Sequence, residues 1–214
     1  AFEPATTKQV FRVGTPDYLA PPLMAAVVNY MRGTAPNARL LLQPLGPDYD
    51  FEEALAEGEL DVVIGNWPQP PEHLRTTLLL EDEIVCLVDR DHPLAGGMKV
   101  ADYLQGAHVV PLLYSMTQRG VVETSLAAQR MARTAAVTVP YFGMAPHLLP
   151  GTDLIFTTSR HFAQHHAAML PLAIVPSPID FPPMRFYQLW HGRTQHAPGH
   201  LCFRSLLSAV VRTA

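Results

Sequence analysis

The sequence has few charged residues and very few lysines. Asp, Glu, Lys and Arg make up 16% of the 214 residues, against about 25% in typical soluble domains. The net charge is −4, and only two of the 15 basic residues are lysines. Non-specific nucleic-acid binding depends on clustered Lys and Arg, so we do not expect this chain to hold DNA by itself. The low charge fraction fits either a surface buried in an oligomer or simply an Ala-rich composition.

Signals for membranes, export and catalysis are missing as well. No secretory signal and no run of 18 apolar residues is present, so we expect a cytoplasmic chain without a membrane span. The two cysteines, Cys86 and Cys202, are far apart and predict free thiols. The P-loop, nucleophile-elbow, zincin and dinucleotide-binding patterns are absent. We therefore expect no enzyme activity and no cofactor.

The first ninety residues alternate between strand and helix patterns. Strands are predicted at 9–14, 39–42 and 60–64, which favours a parallel sheet with crossover helices. Thr15-Pro16-Asp17 has the hydroxyl, the proline and the acid that are typical of a helix start. Two further prolines, Pro21 and Pro22, must distort or delay that helix.

A second set of strands and helices covers residues 100–175, and extended segments near 88–93 and 178–184 connect the two sets. The predicted fold is α/β, with two Rossmann-like lobes joined by two hinge crossings. Lobe I comprises 9–88 plus 184–214, and lobe II comprises 93–178. Such lobes form a hinged clamp with a ligand between them. One continuous sheet is the alternative.

Three segments carry a resemblance to a known family. They are FRVGT at 11–15, EGELDVVIGN at 57–66 and LLLEDEIVCLVDRDHPLA at 78–95. In this order they resemble the effector-binding domain of LysR-type transcriptional regulators. Later segments, such as VPYF at 139–142 and WHGR at 190–193, are similar to the subgroup of nodulation, naphthalene/salicylate and nitrotoluene regulators.

The resemblance implies a type II periplasmic-binding-protein-like fold that binds a small effector, often aromatic or acidic, between the lobes. It also implies a homodimer or homotetramer that reaches DNA only through an amino-terminal winged helix-turn-helix, which these residues do not include. Subgroup members often have His where this chain has Tyr141, which weakens the transfer of any specific carboxylate effector. A periplasmic-type solute-binding protein of the same fold is the alternative function.

Candidate ligand-binding residues of lobe I follow the ends of predicted strands. Thr15, with the backbone amides of Asp17 and Tyr18, could bind an acidic oxygen at a helix amino terminus, although a plain helix cap is the alternative. Asn66 offers a donor and an acceptor, and Trp67 offers a ring for stacking. Trp67 could instead pack on neighbouring prolines.

Candidates in lobe II lie where they could line the cleft; a structural role is the alternative for the histidine, and simple core packing is the alternative for the group at 141–144. The set contains one strand histidine, three residues after that strand, and three residues at the start of the helical segment after 140: His108, Ser115, Met116, Thr117, Tyr141, Phe142 and Met144. His161 and His165 are four residues apart and could share a metal. We expect a solvated face instead, because no third ligand is evident.

Overall fold

The computed structural model describes residues 2–46, 48–112 and 120–213. The chain divides into two compact units. Unit 1 comprises Ala1–Glu81 and Arg185–Ala214, and unit 2 comprises Asp82–Met184. The sequence had suggested that residues 82–88 belong with the first lobe. They fall in unit 2, and the strand Ile84–Asp89 pairs only with strands of that unit among the described residues.

Unit 1 contains a five-stranded sheet in the order β2-β1-β3-β10-β4. Its strands are β1 (Val10–Gly14), β2 (Arg39–Gln43), β3 (Val62–Asn66), β4 (Arg75–Asp82) and β10 (Met184–Trp190). Its helices are α1 (Pro21–Thr34), α2 (Phe51–Glu57) and α6 (Pro198–Thr213), with a 3-10 turn at Gly192–Thr194. Strands β1, β2 and β3 are parallel, whereas β10 runs antiparallel to β3. The predicted parallel core is thus extended by a returning strand.

The prediction that the first helix starts at Thr15 is wrong. Helix α1 begins at Pro21, its N-cap residue is Ala20, and no side chain caps it. Proline fits the first helical positions, where an N–H would have no helical partner, and it disfavours a helical conformation in the residue before it. The helix therefore begins at the Pro21-Pro22 pair and not before it.

The core of unit 1 forms where sequence periodicity indicates. Helix α2 is capped at its start by Asp50, whose side chain accepts a hydrogen bond from the Glu53 amide (3.0 Å), and at its end by Gly58 with φ of +85°. Strand β3 is buried over its first four residues. On α6, Phe203 stacks on Phe11 with a centroid distance of 4.6 Å. These contacts fix the parallel strands whose carboxyl ends carry the candidate residues.

Unit 2 contains a second five-stranded sheet in the order β7-β6-β8-β5-β9. Its strands are β5 (Ile84–Asp89), β6 (Ala107–Pro111), β7 (Thr134–Val139), β8 (Leu154–Ser159) and β9 (Leu172–Pro176). Its helices are α3 (Val100–Gln105), α4 (Val121–Ala128) and α5 (Arg160–Ala167), with a 3-10 helix at Phe142–Leu148. Because the described strands form two separate sheets, the alternative of one continuous sheet is wrong.

Both faces of the unit 2 sheet are covered. One face packs Cys86, Ile155 and Val175 against Tyr103 of α3 and Leu126 of α4. The other face carries an aromatic cluster, in which Phe142 meets Phe156 at 5.0 Å and Phe162 at 5.3 Å between ring centroids. None of the helices in the described ranges is both long and apolar enough to cross a membrane.

Candidate functional site

The carboxyl ends of the three parallel strands of unit 1 lie at one edge of its sheet. Gly14 at the end of β1 is opposite Gln43 at the end of β2, and the Thr15 amide donates to the Gln43 carbonyl at 3.0 Å. Asn66 ends β3, the other neighbour of β1. In sheets of this kind, ligands bind beyond the carboxyl ends of the strands. This edge therefore brings Thr15, Asn66 and Trp67 together as candidate contacts.

The expected cluster of free amides at a helix start is not present at Thr15. Pro21 and Pro22 have no N–H, and the Leu23 amide donates to the Ala20 carbonyl at 3.2 Å. Few amides at the start of α1 thus remain to hold an anion. Thr15 itself is half-buried and retains its hydroxyl as a donor and acceptor. Because few free amides are present, this position is better suited to a neutral hydrogen-bonding group of a ligand than to a carboxylate.

Tyr18 positions Asn66 and does not offer a free hydroxyl. The Asn66 amide donates to the Tyr18 hydroxyl at 3.0 Å, and the Tyr18 ring lies 5.8 Å from that of Phe186. Burial raises the pKa of Tyr18 to about 12, although the bond from Asn66 opposes this. Tyr18 is therefore a neutral phenol near pH 7. Asp17 beside it is exposed.

Asn66 is also bound to a strand that is distant in sequence. Its side-chain oxygen accepts a hydrogen bond from the Arg185 amide at 3.0 Å, and the Trp67 amide donates to the Arg185 carbonyl at 3.3 Å. The side-chain NH2 of Asn66 makes no hydrogen bond to any residue that the structure describes. It is therefore a donor available to a ligand at this edge.

Trp67 packs on the end of its own strand. Its ring lies directly over Gly65, where an added Cβ would come within 2.6 Å of the ring carbon Cη2. It also meets the Phe51 ring at 5.7 Å between centroids, with the two ring planes tilted by 52°. The ring is half-buried. Glycine at 65 allows this close approach, and the remaining exposed part of the indole can stack on a flat ligand.

His108 in unit 2 is a core residue. It is fully buried on β6, its Nε2 contacts the Tyr103 carbonyl, and its ring lies 4.5 Å from the Tyr103 ring. Burial lowers the pKa of His108, and the carbonyl contact only partly offsets this. The imidazole is thus neutral near pH 7. Its Nδ1 has no partner among the described atoms, but its complete burial argues against contact with an effector.

The residues at the start of the 3-10 helix divide between core and surface. Phe142 packs into the aromatic cluster with Phe156 and Phe162. Tyr141 is 65% exposed and Met144 is 42% exposed. These two large apolar side chains therefore remain candidates for a ligand contact. Ser115, Met116 and Thr117 lie outside the described residues.

Sequence reasoning missed a buried polar cluster in unit 2. The side chain of Arg133 is only 5% exposed, and it pairs with Glu123 at 2.6 Å. It also donates to the hydroxyls of Tyr103 (3.4 Å) and Thr157 (3.3 Å). Burial raises the pKa of Tyr103 to about 12, which the guanidinium opposes. Arg133 follows no motif, so no local signal pointed to it.

Within the described ranges, no group of three or more His, Cys, Asp or Glu side chains could hold a metal ion. His161 does not face a shared site with His165. Its Nδ1 lies 2.7 Å from a carboxylate oxygen of Asp82. The two cysteines are free, with Cys86 buried and Cys202 exposed.

Comparison with known proteins gives a consistent result. A family model described as the LysR substrate binding domain matches residues 5–212. Nodulation protein D 1 of Rhizobium tropici is 29% identical over 208 residues, which cover 96% of this chain and 67% of that protein. The transcriptional activator NahR of Pseudomonas putida is 23% identical, with 97% of this chain and 69% of NahR covered.

Solved structures agree in fold. The regulatory domain of MexT, a transcriptional activator of Pseudomonas aeruginosa, superposes with a TM-score of 0.82 at 24% identity. That match covers 96% of this chain and 100% of the MexT domain. The chain spans about two thirds of the length of these curated relatives, of which NahR is named a transcriptional activator. The expected family, its nodulation and NahR-like subgroup, and the periplasmic-binding-protein-like fold class are confirmed.

Proposed function

We propose a binding site and a ligand class for this chain, which belongs to the LysR substrate-binding domain family and is the effector-binding regulatory domain of a transcription regulator. The site lies at the carboxyl edge of the unit 1 sheet, with Thr15, Asn66 and Trp67 as its contacts. The convergence of these three residues at one sheet edge carries the proposal.

The chemistry of this edge favours a flat ligand with a hydrogen-bond acceptor. The Asn66 NH2 and the Thr15 hydroxyl are neutral donors, and the Trp67 indole offers a stacking face. We propose that the effector is a small aromatic compound, and that an acidic group on it contributes less to the affinity than the ring.

The proposed effect of the ligand is a shift between conformations of the domain. A ligand shifts such an equilibrium only by its difference in affinity for the two states. We propose that a separate DNA-binding domain reads this shift in the cytoplasm. The role proposed for the chain is sensing without catalysis.

A thermal-shift experiment tests the ligand class. Benzoate, phenol and acetate at millimolar concentration separate the contribution of the ring from that of the carboxylate. At 100 times its dissociation constant a ligand stabilises by about 2.7 kcal/mol, which corresponds to a rise in Tm of roughly 5–10 °C for a domain of this size. We expect benzoate and phenol to raise the Tm and acetate to leave it unchanged.

Two variants locate the binding. Trp67→Leu should abolish the shift with both aromatic compounds, because it removes the stacking surface. Met169→Ala alters an exposed apolar residue of unit 2 outside the proposed site and serves as the control. A shift that survives Trp67→Leu, or that acetate alone produces, would contradict the proposed site or the proposed ligand class respectively.

We also propose that the domain is a homodimer, the unit from which a homotetramer would form. Strand β2 is an edge strand of the unit 1 sheet, and its Leu41 and Leu42 are exposed, as are Val28 and Tyr30 of α1. Exposed apolar edge strands are typical pairing surfaces. Leu42→Glu should convert dimers to monomers in sedimentation-velocity experiments. An unchanged dimer would rule out this surface.

A further inference from the structure

A second pair of polar side chains lies at the carboxyl edge of the unit 1 sheet, beside the proposed ligand site. Gln43 is the last residue of β2, and its side-chain Nε2 donates a hydrogen bond to the Tyr49 hydroxyl at 2.9 Å. Both side chains are half-buried. The Gln43 backbone is also joined to the site, because its carbonyl accepts from the Thr15 amide at 3.0 Å.

The Gln43 side chain lies on the same face of the sheet as Trp67. Gln43 is the register partner of Gly14 in the neighbouring strand, and an added Cβ at Gly14 would lie 3.3 Å from a methyl carbon of Val63. Val63 and Gly65 are two residues apart in β3 and therefore share that face. The Trp67 ring covers Gly65. One face of the strand ends thus carries both the polar pair and the indole.

Packing fixes Tyr49 and Trp67 in the same part of unit 1. Tyr49, Phe51 and Trp67 are all partly buried against one hydrophobic cluster, which includes Leu55 and Leu60. The Phe51 amide donates to the Tyr49 carbonyl at 3.1 Å, and the Phe51 ring lies 5.7 Å from the Trp67 ring. Phe51 therefore connects the two side chains.

The hydrogen bond between Gln43 and Tyr49 leaves two groups for a ligand. Because the Tyr49 oxygen accepts a proton of the Gln43 amide, the hydroxyl proton of Tyr49 is left for another acceptor. The Gln43 Oε1 accepts no hydrogen bond from any residue in the described ranges. The pair therefore presents one donor and one acceptor, both neutral.

Gln43 and Asn66 lie on opposite sides of β1. Strands β2 and β3 are the two neighbours of β1, and adjacent strands are about 4.8 Å apart. The ends of β2 and β3 are therefore roughly 10 Å apart. A ligand that meets Asn66 with one polar group can meet Tyr49 only with a second group on the other side of its ring.

We propose that Tyr49, positioned by Gln43, determines which aromatic effectors the site prefers. It favours a ring that carries a second hydrogen-bonding group, opposite the group that meets Asn66. An apolar substituent in that place would leave the Tyr49 hydroxyl and the Gln43 oxygen unpaired, which disfavours it. The inference rests on the proposed ligand site and adds a requirement that Thr15, Asn66 and Trp67 do not make.

Three benzoates that differ at one position test this preference. They are benzoate, 4-hydroxybenzoate and 4-methylbenzoate, in which the methyl group has about the size of the hydroxyl without its polarity. Isothermal titration calorimetry gives the Kd of each for the domain. One net hydrogen bond corresponds to about a 2- to 12-fold change in Kd. We expect 4-hydroxybenzoate to bind more tightly than 4-methylbenzoate by about that ratio.

Three variants assign the preference to the pair. Tyr49→Phe removes only the hydroxyl and should bring the ratio of the two Kd values close to 1. Gln43→Met removes the donor that holds this hydroxyl and should lower the ratio by less. Tyr30→Phe removes the hydroxyl of an exposed tyrosine on α1 and should leave the ratio unchanged. A general loss of stability affects both ligands equally, so it would not move this ratio.

The possible failures are distinguishable. Equal Kd values for 4-hydroxybenzoate and 4-methylbenzoate, or a preference that survives Tyr49→Phe, would overturn the inference and leave the proposed site at Trp67 intact. An unchanged ratio in Gln43→Met would overturn the positioning role of Gln43. If none of the three benzoates bound, the proposed ligand class and this inference would both be wrong.

Discussion

Replacement of Gly65 by alanine is the most direct test of how Trp67 is held at the candidate site. An alanine Cβ at this position would lie 2.6 Å, 2.8 Å and 3.2 Å from three carbons of the Trp67 ring, whereas ordinary contact begins at 3.4 Å. Gly65 does not have a positive φ, so alanine is compatible with its backbone. The cost therefore arises from displacement of the ring alone.

The expected loss follows from two opposing contributions. Forcing an additional methyl group into a packed site costs about 1–3 kcal/mol. Replacement of glycine by alanine in a compatible conformation stabilises the folded state by about 0.4–1 kcal/mol, because the unfolded chain loses conformational entropy. We expect Gly65→Ala to lower the free energy of unfolding by about 1–2 kcal/mol, measured by urea denaturation. Trp67 and Trp190 are the two tryptophans, so fluorescence reports both the unfolding and the displaced ring.

A double-mutant cycle identifies the ring as the cause. In a Trp67→Leu background the colliding carbons are absent, so Gly65→Ala should cost less than about 0.5 kcal/mol. Gly33→Ala is a suitable control, because no atom lies within 4 Å of its added Cβ and alanine favours a helix. The same loss from Gly65→Ala in both backgrounds would refute the proposed contact between Trp67 and the strand end.

Other predictions concern the buried polar groups. Tyr18→Phe removes the acceptor of the Asn66 amide and should cost about 1–3 kcal/mol in urea denaturation; an unchanged midpoint would contradict this role. Arg133→Met leaves the Glu123 carboxylate without its partner and should cost about 1–3 kcal/mol, with a smaller loss for the double variant with Glu123→Gln. Tyr18 and Tyr103 have pKa values raised to about 12 by burial, so two of the seven tyrosines should not ionise in an absorbance titration up to pH 11 unless the domain unfolds. Burial raises the pKa of Asp82, but its hydrogen bonds from His161 outweigh this and leave the pKa below the usual 3.8. Stability from Asp82 is therefore present above pH 3.8 and is lost as the pH falls through the lowered pKa, so Asp82→Asn should flatten the acid limb of the stability curve, and an unchanged limb would argue against this pair.

Much of the fold was predictable because local patterns encode it. The apolar run of β3, the glycine that ends α2 and the buried face of α6 all lie where periodicity and capping indicate. The order of motifs also led to the correct family. Such signals show which face of an element is buried. They do not show which distant residue that face will meet.

The tertiary structure decided the state of each candidate side chain. Tyr18 and Asn66 are 48 residues apart in sequence, and Asn66 and Arg185 are 119 apart, yet hydrogen bonds join them. The contact with Arg185 exists because β10 returns beside β3 and brings its first residues to the carboxyl edge. His108 was assigned to the core in the same way, by the packing of α3 on its strand. By itself the sequence determined the elements, their order and the family, since these depend on local patterns, whereas sheet order and packing determined which side chains remain available to a ligand.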